Sequence, residues 1–249
     1  MQDLTGYNSI LIFGGSFDPP HVAHTLLPRW VAHELDIEAV AFIPAGRAPH
    51  KLDRDQTDPQ HRLAMLRLAL ADESDAVAGL PEAVVLTDEI DRTPGEPSYT
   101  VDTLARLHER IGEGVSLRLL FGGDQLRIFD QWREPDRVVA LAEPVVMVRP
   151  PETSASLLGA LPDDAARATW EPRLIEVPRI DLSSTDIRER IAQGKDTEGL
   201  VAPAVAAYIQ EHGLYRTGPQ GGGGGGARAP ATHKHPPPPG GGGAPPPPP

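Results

Sequence analysis

The chain has 249 residues, a formal charge of −12 and no cysteine. The acidity argues against a nucleic-acid partner, which needs a basic patch, but leaves room for a small anionic ligand held by local donors. Disulfides, thiolate zinc sites and cysteine nucleophiles are excluded, and no apolar run reaches the ~18 residues that span a bilayer, so a cytoplasmic protein with no membrane partner is expected.

In chain order, Ser9–Phe13 predicts a short buried strand that runs into Gly14 and Gly15, and a helix follows over about His21–Glu34. Ala39–Ile43 predicts a second strand. Gln60–Ala71 carries Leu63, Met65, Leu66 and Leu70 at helical spacing. Val84–Thr87 reads as a strand and Tyr99–Ile111 as a helix. Strands are predicted at Leu117–Phe121, Pro144–Val148 and Ile175–Val177. Helices at Thr185–Gln193 and Pro203–His212 complete the pattern. This alternation predicts an α/β fold, Rossmann-like and doubly wound, with a mainly parallel sheet and helices on both faces. From Gly218 to Pro249, glycine and proline make up 22 of 32 residues. No apolar side chain there is large enough to repay the entropy of ordering. The expected organisation is one ordered domain over 1–217 and a disordered tail over 218–249.

The most informative stretch is Gly14-Gly15-Ser16-Phe17-Asp18-Pro19-Pro20-His21-Val22-Ala23-His24. Two glycines let the backbone turn tightly and approach a ligand, and the helix that follows offers N–H groups and a dipole to an anion. His21 and His24, three apart, can face the same side of its first turn and suit a phosphate gathering charge. A pair of surface histidines is the plainer alternative. A zinc pair lacks a third ligand at suitable spacing. In Ser183-Ser184-Thr185-Asp186-Ile187-Arg188, a serine can cap the next helix while Arg188 lies one turn on. These residues make either an ordinary cap with a solvated arginine or a second anion site. Two helix-start anion sites in one sheet protein make a nucleoside triphosphate the natural ligand.

GGSFDPPHVAH resembles the GGxFDPxHxGH signature of the HxGH nucleotidyltransferases, and SSTDIR resembles that superfamily's SSTxIR segment. Residues 43–51 (IPAGRAPHK), 97–104 (PSYTVDTL), Gly122-Gly123-Asp124-Gln125-Leu126 with Trp132, and 201–215 (VAPAVAAYIQEHGLY) are similar to segments of the bacterial nicotinate mononucleotide adenylyltransferases. Ala23 stands where that family has glycine, which puts a methyl where the helix is expected to face phosphate. The tail has no counterpart.

The resemblance implies transfer of AMP from ATP to nicotinate mononucleotide, with Mg²⁺ bridging phosphate oxygens. It implies catalytic roles for His21, His24, Lys51 and Arg188. ATP would be bound by Gly14, Gly15, Ser16, Phe17, His21, His24, Asp124, Ser183, Ser184 and Arg188. Asp124 could instead cap a helix. The acceptor would use Thr100 and Trp132, with Arg149 balancing its charge. Gln60-His61-Arg62 reads as the start of an ordinary amphipathic helix. Alternative readings are nicotinamide mononucleotide or another small phosphate acceptor, or a nucleotide-binding regulator without catalysis. The residues carry no signal for oligomeric state.

Overall fold

A computed structural model describes residues 4, 6–46, 56–71, 78–91, 98–112 and 114–216. The chain divides into two units, Met1–Thr217 and Gly218–Pro249, and every described residue belongs to the first.

Six strands form one sheet: β1 (Ser9–Gly15), β2 (Ala39–Pro44), β3 (Glu82–Val85), β4 (Ser116–Gly122), β5 (Glu143–Val148) and β6 (Leu174–Glu176). Their order is β3-β2-β1-β4-β5-β6, and every pairing is parallel. The sheet is thus wholly parallel among the described residues, where the sequence predicted a mainly parallel one. Parallel strands must be joined by crossovers, and here helices supply them.

The helices are α1 (Val22–Glu34), α2 (Pro59–Leu70), α3 (Thr100–Ile111), α4 (Gly123–Leu126), α5 (Pro135–Leu141), α6 (Ser154–Gly159), α7 (Asp164–Trp170), α8 (Ser184–Ala192) and α9 (Pro203–Glu211). Alternation along β1 divides the core. Ile10 and Ile12 join a cluster with Leu104 and Leu107 of α3 and Val138 of α5. Leu11 and Phe13 face the other way, toward Leu27 and Val31 of α1 and Leu63 and Leu66 of α2. Helices therefore cover both faces. A third cluster joins Met65 of α2, Ile187 of α8 and Val205 and Ile209 of α9.

Most predicted elements fall within two residues of those observed. β1 extends through both glycines, because Gly14 and Gly15 pair with Ile43 and Pro44 of β2. Four short helices, α4, α5, α6 and α7, escape the sequence reading. Each has seven residues or fewer, too short for a 3.6-residue period to emerge.

Candidate active site

The chain winds one way from β1 to β3 and the other way from β4 to β6, so the topology switches between β1 and β4. In open α/β sheets, ligands bind at the carboxyl ends of the strands where this happens. The GGSFDPPH segment leaves β1 at that point.

His21 is the N-cap of α1 and only 3% exposed. Its ring stacks on that of His24, with centroids 3.7 Å apart and 23° between planes. Phe17 packs its edge against His24 at 5.3 Å. Burial, reinforced by the charge of Arg149, pushes His21 down to about 4, so it is neutral at pH 7. Its buried Nδ1 has no hydrogen-bond partner among the described residues. Such an atom bears a desolvation cost that a ligand relieves.

The turn ahead of these histidines is tied down through its backbone carbonyls. Arg62 is 1% exposed and donates to Ser16 O, Gly46 O and Thr57 O at 2.8, 3.2 and 2.9 Å. One guanidinium thereby joins the loops after β1 and β2 to the entry of α2. Ser184 Oγ donates to Pro19 O at 2.9 Å, and Arg188 Nη1 donates to Asp18 O at 2.7 Å. The start of α8 is thus fastened to the glycine turn. Ser183 Oγ caps α8 by accepting from Asp186 N at 3.1 Å.

Two cavities open along this edge. The first, of about 330 Å³, is lined by residues that include Gly14, Gly15, Ser16, Thr100, Trp132 and Arg133. Trp132 packs against Phe121 and Phe129, and its Nε1 is buried without a partner, as is Ser98 Oγ in the same cavity. Thr100 opens α3, whose first-turn amides and dipole face this end of the helix. The second cavity, of about 460 Å³, is lined by residues that include Gly123, Asp124, Arg149, Ser183 and Asp186.

The candidates from the sequence fall as follows. His21 and His24 stand together, with Ser184 and Arg188 bound to the turn before them. Thr100 and Trp132 share the first cavity. Asp124 and Ser183 share the second. Lys51 lies outside the described residues.

The structure bears on five of these readings. Arg149 lines the second cavity and not the first, because it follows β5 on the far side of β4 from Thr100. The Phe17 side chain is no ATP ligand: it is 1% exposed, packed among Phe13, Phe42 and His24 beneath Gly15. The methyl of Ala23 points into the core with Leu27 and Phe42, away from the phosphate face. The N–H groups of α1 are also less available than a bare helix start implies. Val22 N donates to Leu200 O, and His24 N and Thr25 N donate to His21 O. Asp124 lies within the first turn of α4, whose N-cap is Gly122, so it does not cap that helix.

The sequence reading missed Arg62, Ser98 and Arg133. Arg62 carried a signal in principle: an arginine on the i, i+3, i+4 face of Leu63 and Leu66 must be either exposed or paired. Its carbonyl partners come from three loops, and spacing along one helix does not reveal them.

Residues 12–190 match the cytidylyltransferase-like family model. A Roseiflexus sp. (strain RS-1) protein named "probable nicotinate-nucleotide adenylyltransferase" is 43% identical over 211 residues, covering 82% of this chain and 96% of its own. A Thermomicrobium roseum protein of the same name is 38% identical, with 83% and 91% coverage. Among solved structures, Plasmodium falciparum nicotinic acid mononucleotide adenylyltransferase complexed with NaAD superposes with a TM-score of 0.64 at 20% identity, over 84% of this chain and 98% of its own. That likeness shows the shared fold, while the coverage and identity of the curated relatives show the family. The chain belongs to the cytidylyltransferase-like family and, within it, to the nicotinate-nucleotide adenylyltransferases.

Proposed function

We propose that this protein transfers AMP from ATP to nicotinate mononucleotide, giving nicotinate adenine dinucleotide and pyrophosphate. An oxygen of the acceptor phosphate forms a bond to the α-phosphorus. The bond from that phosphorus to the bridging oxygen breaks, and its electron pair leaves on pyrophosphate. The nucleophile is already an anion, so no strong base is required. Catalysis then lies in alignment and in stabilising the charge that spreads over the phosphates.

The observation that carries this reading is the stacked His21–His24 pair at the strand switch, His21 buried, with Arg188 fastened to the same turn. The neutral imidazole of His21 can donate an N–H group to a phosphate oxygen without a change of protonation. The second cavity suits the adenosine end, where Asp124 can accept from ribose hydroxyls. The first suits the pyridine end, where Trp132 offers a flat face. Ser98 Oγ, Trp132 Nε1 and the start of α3 supply donors fitted to a carboxylate. An Mg²⁺ ion would enter with the triphosphate, held mainly by phosphate oxygens and screening their charge.

The test is a product assay with ATP, Mg²⁺ and either nicotinate or nicotinamide mononucleotide. A preference for nicotinate of at least about tenfold in kcat/KM is expected, since ~1.4 kcal/mol of donor mismatch gives that factor. Equal use of both would remove the nicotinate preference. No dinucleotide from either would overturn adenylyl transfer.

A further inference from the structure

The last described residues return to the active site from the far end of the chain. Helix α9 ends at Glu211, Gly213 turns the backbone at φ 61°, and Leu214 N donates back to Ile209 O. Tyr215 then adopts φ 62°, a left-handed conformation that is uncommon for a bulky residue. Such a conformation persists only where its surroundings hold it, and such sites cluster around function.

The strained backbone delivers the Tyr215 hydroxyl to Asp18. It donates to Asp18 Oδ1 at 2.6 Å, across 197 positions of sequence. Asp18 is 7% exposed, and its Oδ2 accepts the amide of Thr57 at 3.3 Å. Its carbonyl accepts Arg188 Nη1. Asp18 is therefore the point where three segments meet: the entry of α2, the first turn of α8 and the segment after α9. Arg62 lies close enough for its charge to act on Asp18 and on Tyr215. The phenol is held protonated: burial first, then the bond to Asp18, raises its pKa far above the usual tyrosine value. It acts as a fixed donor and takes no part in proton transfer.

We propose that Tyr215 is a positioning residue for the nucleotide phosphates, acting through Asp18 on the glycine turn and on Arg188. This rests on the adenylyltransferase reading above. The ordered chain thereby closes on the turn that opens the site. Release of the phenol frees Asp18 Oδ1, loosens the carbonyl that Arg188 uses, and shifts the histidines that follow three and six residues later. The first cavity shares Gly14, Gly15 and Ser16 with this turn, but Thr100 and Trp132 belong to other elements, so acceptor binding is expected to depend on the lock less than the triphosphate does.

Full-length wild-type protein, Tyr215→Phe, Asp18→Asn and the double variant are compared by calorimetric titration and by steady-state rates. A non-hydrolysable ATP analogue with Mg²⁺ and nicotinate mononucleotide are titrated separately. Titration returns the fraction of competent molecules apart from their affinity, so partial unfolding reads as lowered stoichiometry. Tyr215→Phe is expected to bind at full stoichiometry, with the analogue's Kd raised about three- to tenfold, that of the mononucleotide within twofold, and kcat lowered about tenfold. The double variant should lose little more than Tyr215→Phe alone, because the two groups act through one bond. Unchanged analogue affinity and kcat in Tyr215→Phe, equal weakening of both ligands, or additive losses in the double variant would each overturn the proposal. If Tyr215→Phe fails to fold, Asp18→Asn decides. It keeps an acceptor oxygen but loses the charge, and should show the same split at smaller size; wild-type affinity and rate there would overturn the proposal. Failure of the wild-type protein to form dinucleotide would instead strike the function it rests on, and is read from the wild type alone.

Discussion

Gly14 and Gly15 sit side by side in the same motif, yet the structure assigns them opposite duties, and alanine at each separates the two. A Cβ on Gly15 would lie 2.9 Å from two atoms of the Phe17 ring and 3.3 Å from a third. Carbon atoms do not approach that closely, so the ring must move. It has little room: Phe17 is 1% exposed, with Phe13 at 5.9 Å, Phe42 at 6.2 Å and His24 at 5.3 Å between ring centroids. Overpacking of this kind costs about 1–3 kcal/mol. In a chain of this size that is roughly 2–12 °C of melting temperature. The displaced ring also pushes on His24, so turnover should fall with stability. A Cβ on Gly14 would meet only Ile43 O, at 3.9 Å, an ordinary contact. It points to the opposite face of β1, the face of Ile12, where the first cavity opens. Gly14→Ala should therefore melt within about 2 °C of wild type, since alanine costs a strand nothing relative to glycine. Its penalty should appear as weaker mononucleotide binding. Thermal melts and titration of both variants decide the matter. A Gly14→Ala protein less stable than Gly15→Ala, or a Gly15→Ala protein with wild-type melting and turnover, would refute this division.

Two further outcomes follow from buried charge. Arg62→Lys should destabilise the fold by about 3 kcal/mol in urea unfolding, because one ammonium cannot reach three carbonyls that a planar guanidinium spans; a loss below about 1 kcal/mol would show that the loops hold without it. His21, lowered from 6.5 to about 4 by burial and Arg149, takes up its proton more readily unfolded than folded. Its contribution is complete above pH 6.5 and is lost as pH falls toward 4, about 2–3 kcal/mol by pH 4.5. Urea unfolding of wild type and His21→Gln at pH 7.5 and 4.5 should show a shallower acid loss in the variant, and parallel losses would contradict the burial argument.

The parts legible in the sequence are those written in local pattern. Apolar runs such as Ser9–Phe13 and Ala39–Ile43 became β1 and β2, and helical spacing at Leu63, Leu66 and Leu70 became α2. The histidine pair was legible because three residues of helix put both rings on one side. What stayed hidden depends on contacts across the chain. Arg149, at the end of the Pro144–Val148 strand, reads from the sequence as either balancing the acceptor's charge or a solvated strand end, and β5 places it in the second cavity. Phe17 stands within the motif, but a backbone turned to φ 51° sends its ring under the glycines. No spacing rule reports which carbonyls Arg62 reaches or which carboxylate the Tyr215 hydroxyl meets, since those lie in loops whose paths are set by the whole sheet.

The way α1 begins explains why side chains, and not the helix end alone, must meet the phosphates. A helix start ordinarily leaves several amides for an anion. Here Val22 N is given to Leu200 O and His24 N turns back to His21 O, while Thr25 N to His21 O is the helix's first ordinary bond. The dipole remains, but much of the hydrogen-bonding capacity of that terminus is spent within the protein. Donors must then come from groups that stand clear of the backbone. His21 Nδ1 is such a group, buried and unmatched among the described residues. Arg188 is another: a guanidinium has five N–H groups, and the bonds to Asp18 O and Thr185 Oγ1 use only part of them. Ser184 differs, because its single hydroxyl proton is committed to Pro19 O, so toward a phosphate it offers its backbone amide at the start of α8. The chemistry thus passes from a generic helix dipole to a few side chains whose positions are set by carbonyl ties to residues 16–19, which makes that turn, more than any one helix, the element on which the geometry of transfer depends.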